Sequence, residues 1–130
     1  MATHLAQEPG LSGRRILIVE DDCITAMDLV ETLSAAGAHI VGPIGTISTA
    51  LEVVRRPQPQ LDVALLDIEV DGAFVFDVAD ELVKRDVPIV FTTGYERHEI
   101  PVRFRAARHC EKPIGIAAIA QALREQIARK

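Results

Sequence analysis

The 130-residue sequence has no tryptophan, one tyrosine and four phenylalanines. Its core must therefore be built from valine, isoleucine, leucine and alanine, which suits a parallel sheet buried on both faces. There are two cysteines, Cys23 and Cys110, without a C-x-x-C spacing, so no disulfide framework is indicated and both are expected as reduced thiols. His4, His39 and His98 are scattered without ligand spacing, which excludes a zinc site built on them. The opening residues contain no apolar run long enough for a signal peptide or a membrane helix, so a soluble cytoplasmic protein with no membrane partner is expected. Basic residues are also in deficit, 14 against 19 acidic, for a net charge of −5. A nucleic-acid partner would call for a basic face, and none is indicated.

What is present is an ordinary globular composition, 48% hydrophobic and 25% charged, at a length that fits one domain. Residues 1–13, punctuated by Pro9, Gly10 and Gly13, read as a flexible tail, and residues 14–130 as the domain. Strand and helix signals then alternate. Ile16 to Val19 is an apolar run ending in Glu20, Asp21 and Asp22. A helix capped by Asp22 follows, with Ile24, Met27, Val30 and Leu33 at helical spacing and Gly37 as its stop. A short strand over residues 39–41 closes at Gly42 and Pro43, and a helix over 46–56 stops at Pro57 and Pro59. The third strand, residues 62–67, ends in Asp67, and a helix is expected over 73–85. Residues 88–93 form the fourth strand, 108–111 a short fifth, and 115–129 the last helix, with Ile116, Ile119, Leu123 and Ile127 a turn apart. The fourth of five expected helices, between Gly94 and Lys112, is short or disordered because Ile100-Pro101 interrupts it.

Strands alternating with helices imply right-handed crossovers and a doubly wound five-stranded parallel sheet flanked by helices. Such a sheet delivers the C-terminal ends of its strands to one edge, where ligands bind. Here that edge receives Glu20, Asp21, Asp67, Thr93 and Lys112. Three carboxylates crowded together repel one another unless a cation neutralises them, and Mg²⁺, which prefers oxygen ligands, is the natural one. One carboxylate can then attack a phosphoryl group while the metal, an ammonium and a hydroxyl stabilise the transferring oxygens.

These segments, Ile-Leu-Ile-Val-Glu-Asp-Asp, Leu-Leu-Asp, Val-Phe-Thr-Thr-Gly and Glu-Lys-Pro, resemble the receiver domain of two-component response regulators over residues 14–129. The resemblance implies the flavodoxin-like strand order 2-1-3-4-5. It implies Asp67 as phospho-acceptor, Thr93 as hydrogen-bond donor to the phosphoryl group and Lys112 as its ion partner. Mg²⁺ would be held by Glu20, Asp21, Asp67 and the backbone carbonyl of Glu69, and a cis peptide would precede Pro113. A sensor histidine kinase would be the donor, and a downstream protein the recipient of the signal unless the domain serves as a phosphate shuttle or sink. No output domain is expected after residue 130.

The match has departures. The loop after Asp67, Ile-Glu-Val-Asp-Gly, is short and lacks a Met-Pro pair. His109 stands where an aromatic switch residue is usual, and is either a structural histidine or a replacement switch at the partner surface. Tyr95 is ordinary surface, a shield over the phosphoryl group, or the missing switch. Val-Phe-Thr-Thr-Gly-Tyr is similar to the Phe-Ala-Thr-Gly-Tyr variant of a receiver subgroup served by atypical soluble histidine kinases. Arg97, Arg103, Arg105 and Arg108 make a solvated face or a docking patch. Three other readings compete: a degenerate receiver that binds partners without phosphorylation, a Mg²⁺-dependent aspartyl phosphohydrolase and a flavodoxin-like carrier. The hydrolase needs a second aspartate at position 69, which is glutamate; the carrier needs a hydroxyl- and glycine-rich loop where acids stand.

Overall fold

The computed structural model describes residues 10–94, 100–112 and 115–129. Among them run β1 (Arg15–Val19), α1 (Cys23–Ala35), β2 (His39–Ile44), α2 (Ile47–Arg55) and β3 (Val63–Asp67). A two-stranded hairpin, β4 (Glu69–Val70) with β5 (Ala73–Phe74), leads into α3 (Phe76–Lys84) and β6 (Ile89–Thr93). A 3₁₀ turn (Val102–Phe104), β7 (Arg108–Glu111) and α4 (Ile116–Arg129) complete the chain.

Five strands form one parallel sheet in the order β2-β1-β3-β6-β7, the expected 2-1-3-4-5 when the hairpin strands are left out. Alternate residues of each strand serve opposite faces. Leu17, Val19, Ala64, Leu66 and Phe91 pack under α2 and α3. Ile16, Ile18, Val63, Leu65, Val90 and Cys110 pack under α1 and α4, with Leu29, Leu33, Ile119 and Leu123. The central strands are buried on both faces, which is why they read as continuous apolar runs. Asp22 caps α1 by accepting from Thr25 N–H, and Thr46 caps α2 by accepting from Thr49 N–H. Among the described residues, no helix is long and apolar enough to cross a membrane.

Several expectations need correction. Leu11 is packed rather than tail-like: it is 0% exposed in the α1/α4 core, and Gly13 N–H nearby donates to Gly37 O at 2.8 Å. The inward face of α1 is Ala26, Leu29 and Leu33, while Ile24 and Met27 are 75% and 62% exposed. A strict three-residue spacing drifts by about 60° per step on a 3.6-residue helix, so Ile24 and Leu33 fall on opposite sides. β2 continues through Gly42 and Pro43 to Ile44, because an edge strand tolerates a proline. Helix α3 starts at Phe76 rather than Ala73, since Ala73 and Phe74 pair with Val70 and Glu69. Where the fourth helix was expected to be short, the described residues hold one 3₁₀ turn, entered at Pro101.

Candidate functional site

β1, β3, β6 and β7 end on the same edge of the sheet. The register sets Asp67 beside Thr92 and Thr93 beside Glu111, and Lys112 N–H donates to Thr93 O at 2.8 Å. That bond ties the exit of β7 to the end of β6 and carries the Lys112 side chain over Asp67. Its Nζ lies 2.7 Å from Asp67 Oδ2 and 3.6 Å from Glu20 Oε1. Glu20, Asp21 and Asp67 each place a carboxylate oxygen within 4.8 Å of the other two. The structure thus brings together four of the side chains singled out from the sequence, with Glu20 and Asp67 buried and Asp21 exposed.

Burial is the main force on Glu20 and raises its carboxyl to about 7; the neighbouring Asp67 pushes the same way. The hydrogen bond from Asp22 N–H at 3.0 Å and the charge of Lys112 oppose the rise without cancelling it. Burial disfavours the Lys112 ammonium, but its hydrogen bond to Asp67 and the charges of Asp67 and Glu20 prevail and raise its pKa. Two buried carboxylates and one exposed one thus share a single lysine among the described residues around them. Burial is what chiefly drives the Glu20 carboxyl to about 7, with the Asp67 charge adding to it. The all-oxygen donor set, Glu20, Asp21 and Asp67, fits a hard divalent cation.

The remaining sequence candidates fall in different places. Thr93 is buried at the end of β6. Glu69 lies in β4 with its side chain exposed, and its carboxylate does not belong to the cluster; the expectation for this residue concerned its carbonyl. Tyr95 and Pro113 lie outside the described residues. His109 is 7% exposed, with its ring stacked on Phe91 at 5.2 Å and Nε2 2.9 Å from Phe104 O. Of the two readings its sequence position allowed, these contacts are those of a structural histidine.

Two contributors were not singled out. Thr92 lines a groove of about 270 Å³ beside the cluster, with Glu20, Lys112, Thr25, Leu29 and Ile116. Asp71 donates its backbone N–H to Asp21 Oδ2 at 2.8 Å. An available signal was the Asp71-Gly72 dipeptide, whose residues both take positive φ (51° and 78°) in the two-residue turn between β4 and β5.

No protein-family model matches the chain. PdtaR of Mycobacterium tuberculosis, a transcriptional regulatory protein, is 32% identical over 120 residues, which is 89% of this chain. The chain spans 58% of PdtaR's length. SdrG of Sphingomonas melonis Fr1, known from its solution structure, is 33% identical with a TM-score of 0.74, and the match covers 92% of this chain and 98% of SdrG. The chain belongs to the receiver-domain family of response regulators. The same fold recurs in the receiver domain of the sensor histidine kinase PA1611 from Pseudomonas aeruginosa PAO1, at 18% identity and a TM-score of 0.75 over 90% of this chain and 99% of that one. That PA1611 receiver holds a magnesium ion in its active-site cleft. In this receiver the corresponding edge of the sheet carries Glu20, Asp21, Asp67 and Lys112.

Proposed function

We propose that this receiver takes a phosphoryl group onto Asp67 from a sensor histidine kinase in a Mg²⁺-dependent reaction, and signals by protein contact or serves as a phosphate shuttle or sink. The observation that carries the reading is Asp67 itself: a buried strand-end carboxylate with a lysine ammonium at 2.7 Å and two further carboxylates in reach. Asp67 supplies the attacking oxygen; an O–P bond forms as the donor's N–P bond breaks, and the bonding pair stays on the leaving nitrogen. Lys112, already held against Asp67 and fixed at its backbone by Thr93, pairs with the incoming phosphoryl oxygens. Thr93 donates its hydroxyl to one of them. Glu20, Asp21, Asp67 and the carbonyl of Glu69 would hold the metal. When bound, Mg²⁺ offsets the charge of the carboxylates and of the phosphoryl group. The Thr-Thr-Gly-Tyr segment supports a donor of the atypical soluble kinase class.

The test is intact-mass detection of phosphoryl transfer from a small phosphodonor, with and without Mg²⁺. Gain of one phosphoryl group only with Mg²⁺ is expected. Mg²⁺ binding without transfer would send the experiment on to a kinase donor. Neither binding nor transfer would leave a phosphorylation-independent binding module as the better account.

A second expected result concerns acidity. Glu20 titrates near 7 in the fold against 4.5 as an ordinary carboxyl, so the folded state keeps a proton that the unfolded chain has lost. Stability of the metal-free protein therefore falls through this group as pH rises from about 4.5 to 7, by up to roughly 3 kcal/mol. A bound Mg²⁺ would compete with that proton for the Glu20 carboxylate. The rise in unfolding midpoint on adding Mg²⁺ is accordingly expected to be larger at pH 8 than at pH 5. Equal increments at the two pH values would remove Glu20 from the metal site.

A further inference from the structure

The three carboxylates are not held alike. Glu20 and Asp67 are buried, one bonded by Asp22 N–H and the other by Lys112. Asp21 is exposed, and an exposed aspartate exchanges rotamers freely unless a partner fixes it. Its partner is the Asp71 N–H, which donates to Oδ2 at 2.8 Å from fifty residues further along the chain. That N–H is aimed by the geometry of the Asp71-Gly72 turn, with φ of 51° and 78°. The hairpin behind the turn is seated on the body of the domain: Val70 is fully buried, and Phe74 stacks on Phe76 at 5.6 Å.

We infer that the Asp71-Gly72 turn is the positioning element of the metal site, holding the Asp21 carboxylate in place through the Asp71 N–H. The inference rests on the Mg²⁺ reading above. A charge-assisted hydrogen bond to one oxygen fixes the plane of the carboxylate before the metal arrives. Losing a partner that orients a ligand costs about 10- to 100-fold in metal affinity. The acting group is the backbone, since the Asp71 carboxylate is not part of the cluster of three.

Gly72 allows a clean test. A Cβ there would meet nothing within 4 Å, so a substitution acts first on the turn's backbone preference. Asparagine tolerates positive φ, whereas valine does not. Mg²⁺ alone is titrated into the full chain and followed by NMR shifts of the Asp21 and Asp71 amides, with the metal-free thermal midpoint measured in parallel. Gly72→Val is expected to weaken Mg²⁺ binding by about 10-fold or more, and Gly72→Asn by less than about threefold. Asp71→Asn, which keeps the N–H, is also expected to stay within about threefold. A loss with Asp71→Asn as large as that with Gly72→Val would make the carboxylate the acting group and overturn the inference. Unchanged affinity in Gly72→Val, with the Asp71 amide visibly displaced, would overturn it as well. Should the wild-type chain not bind Mg²⁺ at all, the metal reading fails and this role with it. Gly72→Ala, milder at the same position, is expected to lie between valine and asparagine, and the absence of that order would count against the turn.

Discussion

Asp67→Asn is expected to leave the chain unable to take a phosphoryl group from any donor, small molecule or kinase, with or without Mg²⁺. The amide has nearly the shape of the carboxylate it replaces. Lys112 Nζ, now 2.7 Å from Oδ2, can still donate to the amide oxygen, so strand ends and lysine stay where they are. What is lost is an anionic oxygen able to form an O–P bond, and no degree of positioning replaces a nucleophile. Lys112→Met provides the contrast. There the nucleophile survives and the ammonium that stabilises the transferring oxygens goes, which costs about 10² to 10³ in rate rather than everything. The two variants also move Glu20 in opposite directions. Asp67 raises the Glu20 carboxyl and Lys112 lowers it, so the aspartate substitution brings it down and the lysine substitution drives it further up. Intact mass gives the first comparison, and a carboxyl NMR titration of Glu20 gives the second. Phosphoryl uptake surviving in Asp67→Asn would transfer the acceptor role to another carboxylate of the cluster and sink the assignment.

Most of the sheet edge was legible in the sequence because burial on both faces leaves a coarse mark: apolar runs ending in a charge, as at Val19-Glu20 and Leu66-Asp67. The parallel, doubly wound sheet followed from alternation and handedness, and its strand order from the resemblance to receiver domains. The side chains that meet at the edge could be named for the same reason, since a parallel sheet sends every strand end to one place. What escaped was carried by features with little or no side-chain signature. The β4–β5 hairpin has two residues per strand, too few for a period, and its contact with Asp21 is a backbone N–H. Leu11 is a lone apolar residue among glycines, and its burial depends on α1 and α4 being in place. On α1, two apolar stripes compete, and only the packed helix distinguishes Ala26-Leu29-Leu33 from Ile24-Met27. The environment of His109 likewise depends on Phe91 and Phe104, which approach it from other elements.

That environment gathers the chain's few phenylalanines. All four phenylalanines lie in one cluster: Phe74 on Phe76, Phe76 on Phe104, and Phe91 edge-on to both Phe76 and Phe104 at 6.2 and 5.5 Å. Phe91 is at its centre, 0% exposed, and it also carries the His109 ring. Its removal therefore affects the hairpin side, the 3₁₀ turn and β7 together. Phe91→Ala is expected to destabilise the fold by about 3–5 kcal/mol from lost burial and the cavity left behind. The aromatic pairs push the loss toward the upper end, since each contributes about 0.5–1.5 kcal/mol beyond its area. Against a total of about 5–15 kcal/mol for a domain, that is a large share. The thermal midpoint should fall by roughly 10–20 °C at this chain length. Phe91→Leu, which keeps most of the volume, should lose less than half as much. Chemical denaturation of the three proteins measures the difference directly. A loss below about 1 kcal/mol for the alanine variant would mean that the neighbouring rings collapse into the space, and that the cluster is packing around a replaceable member instead of resting on it.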